Sequence, residues 1–374
     1  MQSLRTALIV GGGIAGPAAA LALARIGVRS TIVESHPGPA DGVGAILTLA
    51  ANGLDVLRTL GAETPVTDAA QLITEVQMAD AAGQVFARHP GGGYVLPRDL
   101  LARILSEHAA STGAEIRYGA AVTDISSSAH AVTARLADGS VREADLLIGA
   151  DGIHSTIRTL IDPDAPAPVF EGVLGFGAAT DPDGVHAEPG VMHFAFGQRF
   201  LGYWRLPDGR ICWYAALASE ALTSREIAAI PTAEWLARLR ADYAGDAPAA
   251  TLLARTSLDD LISTGPTLRM PPVPHWHRDR VVLVGDAVHA PSSTSGQGAS
   301  LALESAIELA RALRDLPDIA DAFTAYEQIR RPRVEAIAAM AAAANNRKAG
   351  RAPEAGVPAF DPTEHRIDFD RTIE

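Results

Sequence analysis

The sequence lacks most of what would mark a secreted, metal-bound or membrane protein. Only one of its 374 residues is a cysteine. Cys212 can therefore build neither an internal disulfide framework nor a cysteine metal cluster, the usage expected of a reducing cytoplasm. The eleven histidines show no paired spacing with Asp, Glu or Cys that would make a metal site, so none is expected. No uninterrupted apolar run reaches the roughly 20 residues that a membrane-spanning helix needs. The apolar start of the chain has no small-residue cleavage site and is broken by Gly11–Gly16, so it reads as a strand and not as a signal peptide. Positive charge is also short. With 31 Lys and Arg against 44 Asp and Glu, the net charge of -13 argues against nucleic acid or an anionic membrane as partner. Lysine occurs once, at Lys348, so no arginine is informative merely for being arginine.

What is present is glycine in specific contexts. Ala7–Val10 is an apolar strand running into Gly11-Gly12-Gly13-Ile14-Ala15-Gly16 and then the helical run Pro17–Ile26. In this strand–turn–helix setting Gly11 makes the turn, Gly13 lets a pyrophosphate approach the backbone and Gly16 packs the helix on the sheet, and Ile14 and Ala15 are counted with them as cofactor-binding residues. A second strand, Ser30–Val33, ends at Glu34. That acid lies 21 residues beyond Gly13, a spacing that lets its carboxylate reach a ribose hydroxyl. Near the other end of the chain, Val281–Val284 is a short, wholly apolar strand followed by Gly285 and Asp286, at the strand end where ligands collect in α/β sheets. Gly296-Gln297-Gly298-Ala299 then opens a helical segment whose unpaired N–H groups suit an oxyanion. A third apolar strand, Asp145–Ala150, leads through Asp151-Gly152 to Arg158 at a helix start.

The order of these three motifs, GxGxxG near residue 11, ADGxxSxxR at 150–158 and GDAxH at 285–289, resembles the class A FAD-dependent, para-hydroxybenzoate hydroxylase-like flavoprotein monooxygenases over about residues 5–345. The resemblance implies FAD as cofactor, NAD(P)H and O2 as co-substrates, and a flavin C4a-hydroperoxide that hydroxylates or epoxidises an aromatic or polycyclic small molecule. It also implies that Arg98 reaches the flavin and its phosphates and that Gly44-Ala45-Ile46 runs beside the isoalloxazine. Asp151 is expected to act near the pyrophosphate and Arg158 through structure. Val122, in the strand-bearing stretch 116–134, is counted with the cofactor-binding residues. His289 is expected to be a structural residue behind Asp286. The chain departs from the family pattern at Ser293, where a proline is usual, and at Ser305, often acidic. Other readings are a halogenase or reductase on the same scaffold, or a flavin-fold protein that binds without catalysis. A halogenase of this type depends on a lysine beside the flavin tunnel, and Lys348 lies far away in the terminal helix.

The expected architecture is α/β: a Rossmann-like FAD-binding domain, an interleaved antiparallel β-sheet substrate domain and a C-terminal helix. Residues 1–70, 98–162 and 270–313 are assigned to the flavin domain, a hairpin at 71–97 and a lid at 163–269 to the substrate domain, 314–350 to the terminal helix and 351–374 to an extended tail. A chain of this length needs more than one core, and either a monomer or a homodimer is compatible with it. The substrate pocket is assigned to aromatic strands carrying Phe194, Phe196, Trp204 and Trp213, with Ser293. Because strand neighbours point to opposite faces, Tyr203 and Trp204 cannot both face the flavin, nor can Trp213 and Tyr214. Tyr203 and Tyr214 are assigned to the catalytic side, because a buried hydroxyl can orient a phenol and relay its proton.

Overall fold

The computed structural model describes residues 4–39, 46–348 and 360–373, which divide into two compact units. The first comprises Met1–Asp68, Leu96–Val169 and Arg269–Glu374. Its six-stranded sheet has the order His277–Arg278, Val281–Leu283, Leu146–Gly149, Thr6–Val10, Arg29–Val33, Glu115–Arg117. All pairings are parallel except that of His277–Arg278. From Thr6–Val10 the chain crosses to Arg29–Val33 on one side and later returns as Leu146–Gly149 on the other. That reversal opens a crevice at the carboxyl ends of the two central strands, the ligand position of such sheets. The all-apolar sequences of these strands follow from burial on both faces: Ile9, Ile32, Leu147, Ile148 and Val282 have no exposed surface. A small three-stranded sheet, Val122–Ser127, Val132–Leu136 and Val141–Ala144, flanks it.

Helix Ala15–Arg25 packs against Gly298–Asp315, and Gly298–Asp315 against the 30-residue helix Ile319–Lys348, which continues through Pro332. The last described residues are tied down. Phe369 lies beneath the guanidinium groups of Arg25 and Arg314, and Arg333 donates to the Pro362 carbonyl. No described helix is long and apolar enough to cross a membrane.

The second unit comprises Ala69–Val95 and Phe170–Leu268. Its sheet runs Ile262–Arg269, Val169–Thr180, Ile211–Ala218, Phe200–Arg205, Val191–Phe196, Gln71–Asp80, Val85–Pro97. From Val169–Thr180 to Val85–Pro97 it is antiparallel apart from the parallel pair Val191–Phe196 with Gln71–Asp80. The hairpin expected at 71–97 forms and turns at Asp80–Gly83, with the Asp80 carboxylate accepting from Ala82 and Gln84 N–H. Pro90–Gly93, glycine-rich as it is, forms part of the long strand Val85–Pro97. A register shift between Ile73 and Glu75 absorbs it, and a side chain on Gly91 would overlap the Ile73 carbonyl. Helices Thr232–Asp242 and Ala247–Arg255 cover one face of the sheet through Trp235, Leu236, Leu239, Leu252 and Leu253.

Candidate active site

In the first unit three sequence-distant loops meet where glycines permit it. At Gly11 φ is +111°, and a Cβ there would overlap the Ala150 carbonyl. A Cβ on Gly16 would overlap the Gly11 carbonyl, and one on Gly285 would stand 2.7 Å from Ala15 Cβ. These three are glycines because protein fills the space. Gly13, Gly296 and Gly298 are the opposite case, with nothing within 4 Å of a built Cβ. Neither adjoining helix is capped by a side chain: Ile14 precedes Ala15–Arg25 and Gln297 precedes Gly298–Asp315 without such a bond. Two uncapped helix starts beside open backbone suit an anionic, phosphate-bearing ligand.

The acids divide by what they touch. Glu34 accepts from Gly12 N–H at 2.7 Å and from His36 N–H at 2.8 Å, so it braces the glycine turn as well as standing at the ribose position. Asp286 is a half-buried carboxylate at the end of the Val281–Leu283 strand, and among the described residues nothing donates a hydrogen bond to it. Burial pushes its pKa up, and the nearby Arg98 charge only partly opposes this. A carboxylate that stays accessible and that no protein group engages is open to the hydroxyls of a ribityl chain. The Asp151 oxygens are engaged locally: Ser155 Oγ donates at 2.5 Å and Ile157 N–H at 3.0 Å. They close the start of helix Thr156–Ile161. Arg158 is buried and donates to the carbonyls of Ala287 at 2.8 Å and Ile153 at 2.9 Å, tying the Asp-Gly loop to the Asp286 turn. Val122 is buried in the small sheet. Gly44 and Ala45 lie outside the described residues.

A buried charge network that sequence reasoning missed underlies the Gly-Gln-Gly loop. Glu304, with no exposed surface, receives Arg330 at 2.7 Å, Arg333 at 2.7 and 2.8 Å, and Asn52 at 2.6 Å, and Asn52 also donates to Gln297 at 2.9 Å. Burial alone would raise the Glu304 pKa, but the two arginines and Asn52 outweigh it and hold the carboxyl at about 2. The one local signal is an acid among Leu301, Ala302 and Leu303 on a core helix; its partners are 26 or more residues away. His289 is buried on Ser305 at 2.7 Å, and burial and Arg330 lower its pKa to about 3. A neutral imidazole held this way orders structure. Ser293 is exposed in a 3-10 turn that side chains stiffen in place of proline: Asn345 donates to Ser292 Oγ at 3.0 Å and accepts from Thr294 Oγ1 at 2.6 Å.

The second unit corrects the facing of the aromatics. Tyr203 pairs with Trp213, and Trp204 with Cys212. Directly paired residues share a face, so Tyr203 and Tyr214 lie on opposite faces and cannot both belong to one pocket. The alternation within each strand is as expected; the cross-strand register is what differs. Tyr203 and Trp213 sit in the core beneath the helices, with Tyr203 stacked on His193 at 4.7 Å. Phe194, Phe196, Phe200, Trp204 and Tyr214 share the other face, their rings 5.4 to 6.4 Å apart. The Tyr214 ring lies over Gly202, whose Cβ would strike it.

With this geometry in view, the comparisons with known proteins are decisive. An "FAD binding domain" family model matches residues 5–341. The chain belongs to the FAD-dependent monooxygenase family. It is 31% identical over 362 residues to a 3-hydroxybenzoate 6-hydroxylase of Klebsiella oxytoca, covering 90% of this chain and 87% of that one. It is 29% identical over 348 residues to a 2-heptyl-3-hydroxy-4(1H)-quinolone synthase of Pseudomonas aeruginosa, covering 89% and 86%. In fold it matches Klebsiella pneumoniae HpxO complexed with FAD and uric acid, with a TM-score of 0.82 at 24% identity over 92% of this chain and 89% of that one. The enzyme is thus an oxidoreductase of this family, with FAD as cofactor, NAD(P)H and O2 as co-substrates and a small molecule as substrate.

Proposed function

We propose that the enzyme oxygenates an aromatic small molecule in the cytoplasm, with FAD held by the first unit and the substrate ring resting on the Trp204–Tyr214 face of the second. In this reading Gly13, Ile14, Ala15 and Gly16 cradle the pyrophosphate, Glu34 takes the adenosine ribose and Asp286 the ribityl hydroxyls. Arg98 supplies positive charge beside Asp286, and Val122 lies with the residues that hold the nucleotide. When bound, FAD supplies hydride acceptance and oxygen activation. The chain supplies position and electrostatics. The N–H groups at Gly296, Gly298 and Ala299 present partial positive charge to an anion on the flavin's pyrimidine edge, worth roughly 0.3–2 kcal/mol. The apolar face excludes water from the reacting ring. Tyr214 is the hydroxyl on that face able to orient a phenol.

The observation that carries the flavin assignment is the half-buried Asp286 carboxylate at the strand end, which no described residue engages. The test is direct: purified protein should be yellow, release FAD on denaturation, and oxidise NAD(P)H faster with an aromatic compound that gains one oxygen atom from labelled O2. Colourless protein that neither takes up added FAD nor oxidises NAD(P)H would refute the reading.

A further inference from the structure

We infer that Asn52 is a positioning residue: it holds Gln297, and with it the backbone from Gly296 to Ala299, in the form that receives the flavin. This rests on the reading of that loop as the place of the flavin's pyrimidine edge. Asn52 is the second residue of helix Ala51–Thr59 and is buried. An asparagine near a helix start ordinarily bonds its own backbone. This one reaches across the fold instead. One amide hydrogen goes to Gln297 Oε1 at 2.9 Å and the other to Glu304 Oε1 at 2.6 Å, partners 245 and 252 residues away in the chain. Two hydrogens meet two acceptors, so the amide sits only one way round: turned over, its oxygen would face the Glu304 carboxylate. That orientation leaves Asn52 Oδ1 buried without a partner among the described residues, a loss the two bonds outweigh.

The surroundings of Asn52 fix its reach. Its helix crosses Gly298–Asp315 closely, since a Cβ on the neighbouring Gly53 would stand 2.6 Å from Ser300 Oγ. Gln297 and Glu304 lie about two turns apart on one side of that second helix, so one asparagine on the facing helix spans both. Glu304 is the fixed end. Arg330 and Arg333 hold it, Arg333 also donates to the Pro362 carbonyl, and the turn Pro362–Glu364 packs on helix Ala51–Thr59. Gln297 is the end that has to be held. It stands between Gly296, at φ +61°, and Gly298, and both glycines have open space where a Cβ would be. Glycine on each side gives this stretch backbone freedom that other residues would deny it. Among the described residues, Asn52 is the one bonded to the Gln297 side chain. N–H groups that are already in place stabilise charge without rearranging when it develops, so a loosened loop weakens FAD and lowers its reduction potential together.

The experiment cuts the link at each end. Asn52→Leu keeps much of the side chain's shape and leaves Glu304 on both arginines; Gln297→Met removes the acceptor and leaves the Glu304 network whole, so it gives the same reading should Asn52→Leu not fold. Amide hydrogen exchange is followed on the apoprotein first. In each variant the segment 293–301 should exchange roughly tenfold faster, while strands Thr6–Val10 and Leu146–Gly149 keep their protection. FAD should then bind about tenfold more weakly and its reduction potential should fall. The double variant should be no worse than either single one, because both cut the same bond. Unchanged exchange across 293–301, or a loss of protection spread evenly over the unit, overturns the inference and leaves the flavin reading intact. A loosened segment with FAD affinity and potential unchanged overturns it as well, and shows that the loop does not serve the flavin. If the wild type itself takes up no FAD, the proposed function fails and the inference with it.

Discussion

The two units are shaped by different means. In the first the backbone sets the geometry: close loop crossings at Gly11, Gly16 and Gly285, and open backbone at Gly13, Gly296 and Gly298. In the second, the face proposed for the substrate gathers side chains from several strands, Phe194, Trp204 and Tyr214 among them. Backbone recognition constrains residue type locally, because only glycine tolerates a crossing where a Cβ would overlap a carbonyl. A displayed face constrains only the sum of its side chains, and so can change with the substrate.

The sharpest way to break this contrast is to treat glycines of the first unit as interchangeable. Gly16→Ala puts a methyl onto the Gly11 carbonyl and should cost roughly 3 kcal/mol or more of stability, with loss of FAD. Gly13→Ala meets open space and should keep the thermal midpoint of the apoprotein while weakening FAD. Equal destabilisation by the two, in calorimetry without FAD, would show that glycine context does not separate packing from ligand space.

Next in size is the network beneath the Gly-Gln-Gly loop. Glu304→Gln leaves Arg330 buried without its counter-charge and should cost about 3–5 kcal/mol. The pH dependence has a definite sign. The folded pKa of about 2 lies below the ordinary 4.5, so the stability from Glu304 is full above about 4.5 and is lost as pH falls towards 2. The gap in thermal midpoint between the wild type and the variant should therefore shrink over that window. A gap constant from pH 7 to 3 would remove Glu304 from the ledger.

Asp286 should separate function from stability. Its folded pKa is raised by burial, so the apoprotein loses stability as pH climbs above the ordinary value of 3.8, and the charge is a liability at neutral pH. Asp286→Asn should raise the thermal midpoint of the apoprotein while weakening FAD by roughly 1.5–3 kcal/mol. Glu34→Ala should weaken FAD by a similar amount but lower the midpoint, because Gly12 and His36 lose their acceptor. The midpoints of the two apoproteins, moving in opposite directions, are the measurement.

These regions also explain what the sequence could disclose. The glycine motifs, Glu34 and Asp286 are legible because each motif joins a strand to a helix within a few residues. Asp151 was legible as a residue, whereas its bonds to Ser155 and Ile157 turn on one side-chain rotation that no spacing sets. Glu304, Asn52, Arg330 and Arg333 meet only after three helices pack. The facing of the aromatics was half legible: period 2 sets Tyr203 against Trp204, but the Tyr203–Trp213 pairing depends on the register of a hairpin whose turn does not announce it.

That register yields the smallest expected effect, and it tests the comparison most finely. Tyr203 packs on His193 in the core beneath the helices, where burial raises its pKa and no substrate contact is assigned to it. Tyr214 lies on the opposite face with a hydroxyl that no described residue engages. Removing either hydroxyl leaves ring packing in place, so both Phe variants should keep FAD and a thermal midpoint close to wild type. They should differ in coupling. Tyr214→Phe should form less oxygenated product per NAD(P)H consumed, with hydrogen peroxide making up the difference, because a ring that loses its one polar anchor is less well held when oxygen is delivered. Tyr203→Phe should remain coupled. If Tyr203→Phe uncouples and Tyr214→Phe does not, the chemistry belongs to the helix-covered face and the contrast between displayed face and packed core is inverted.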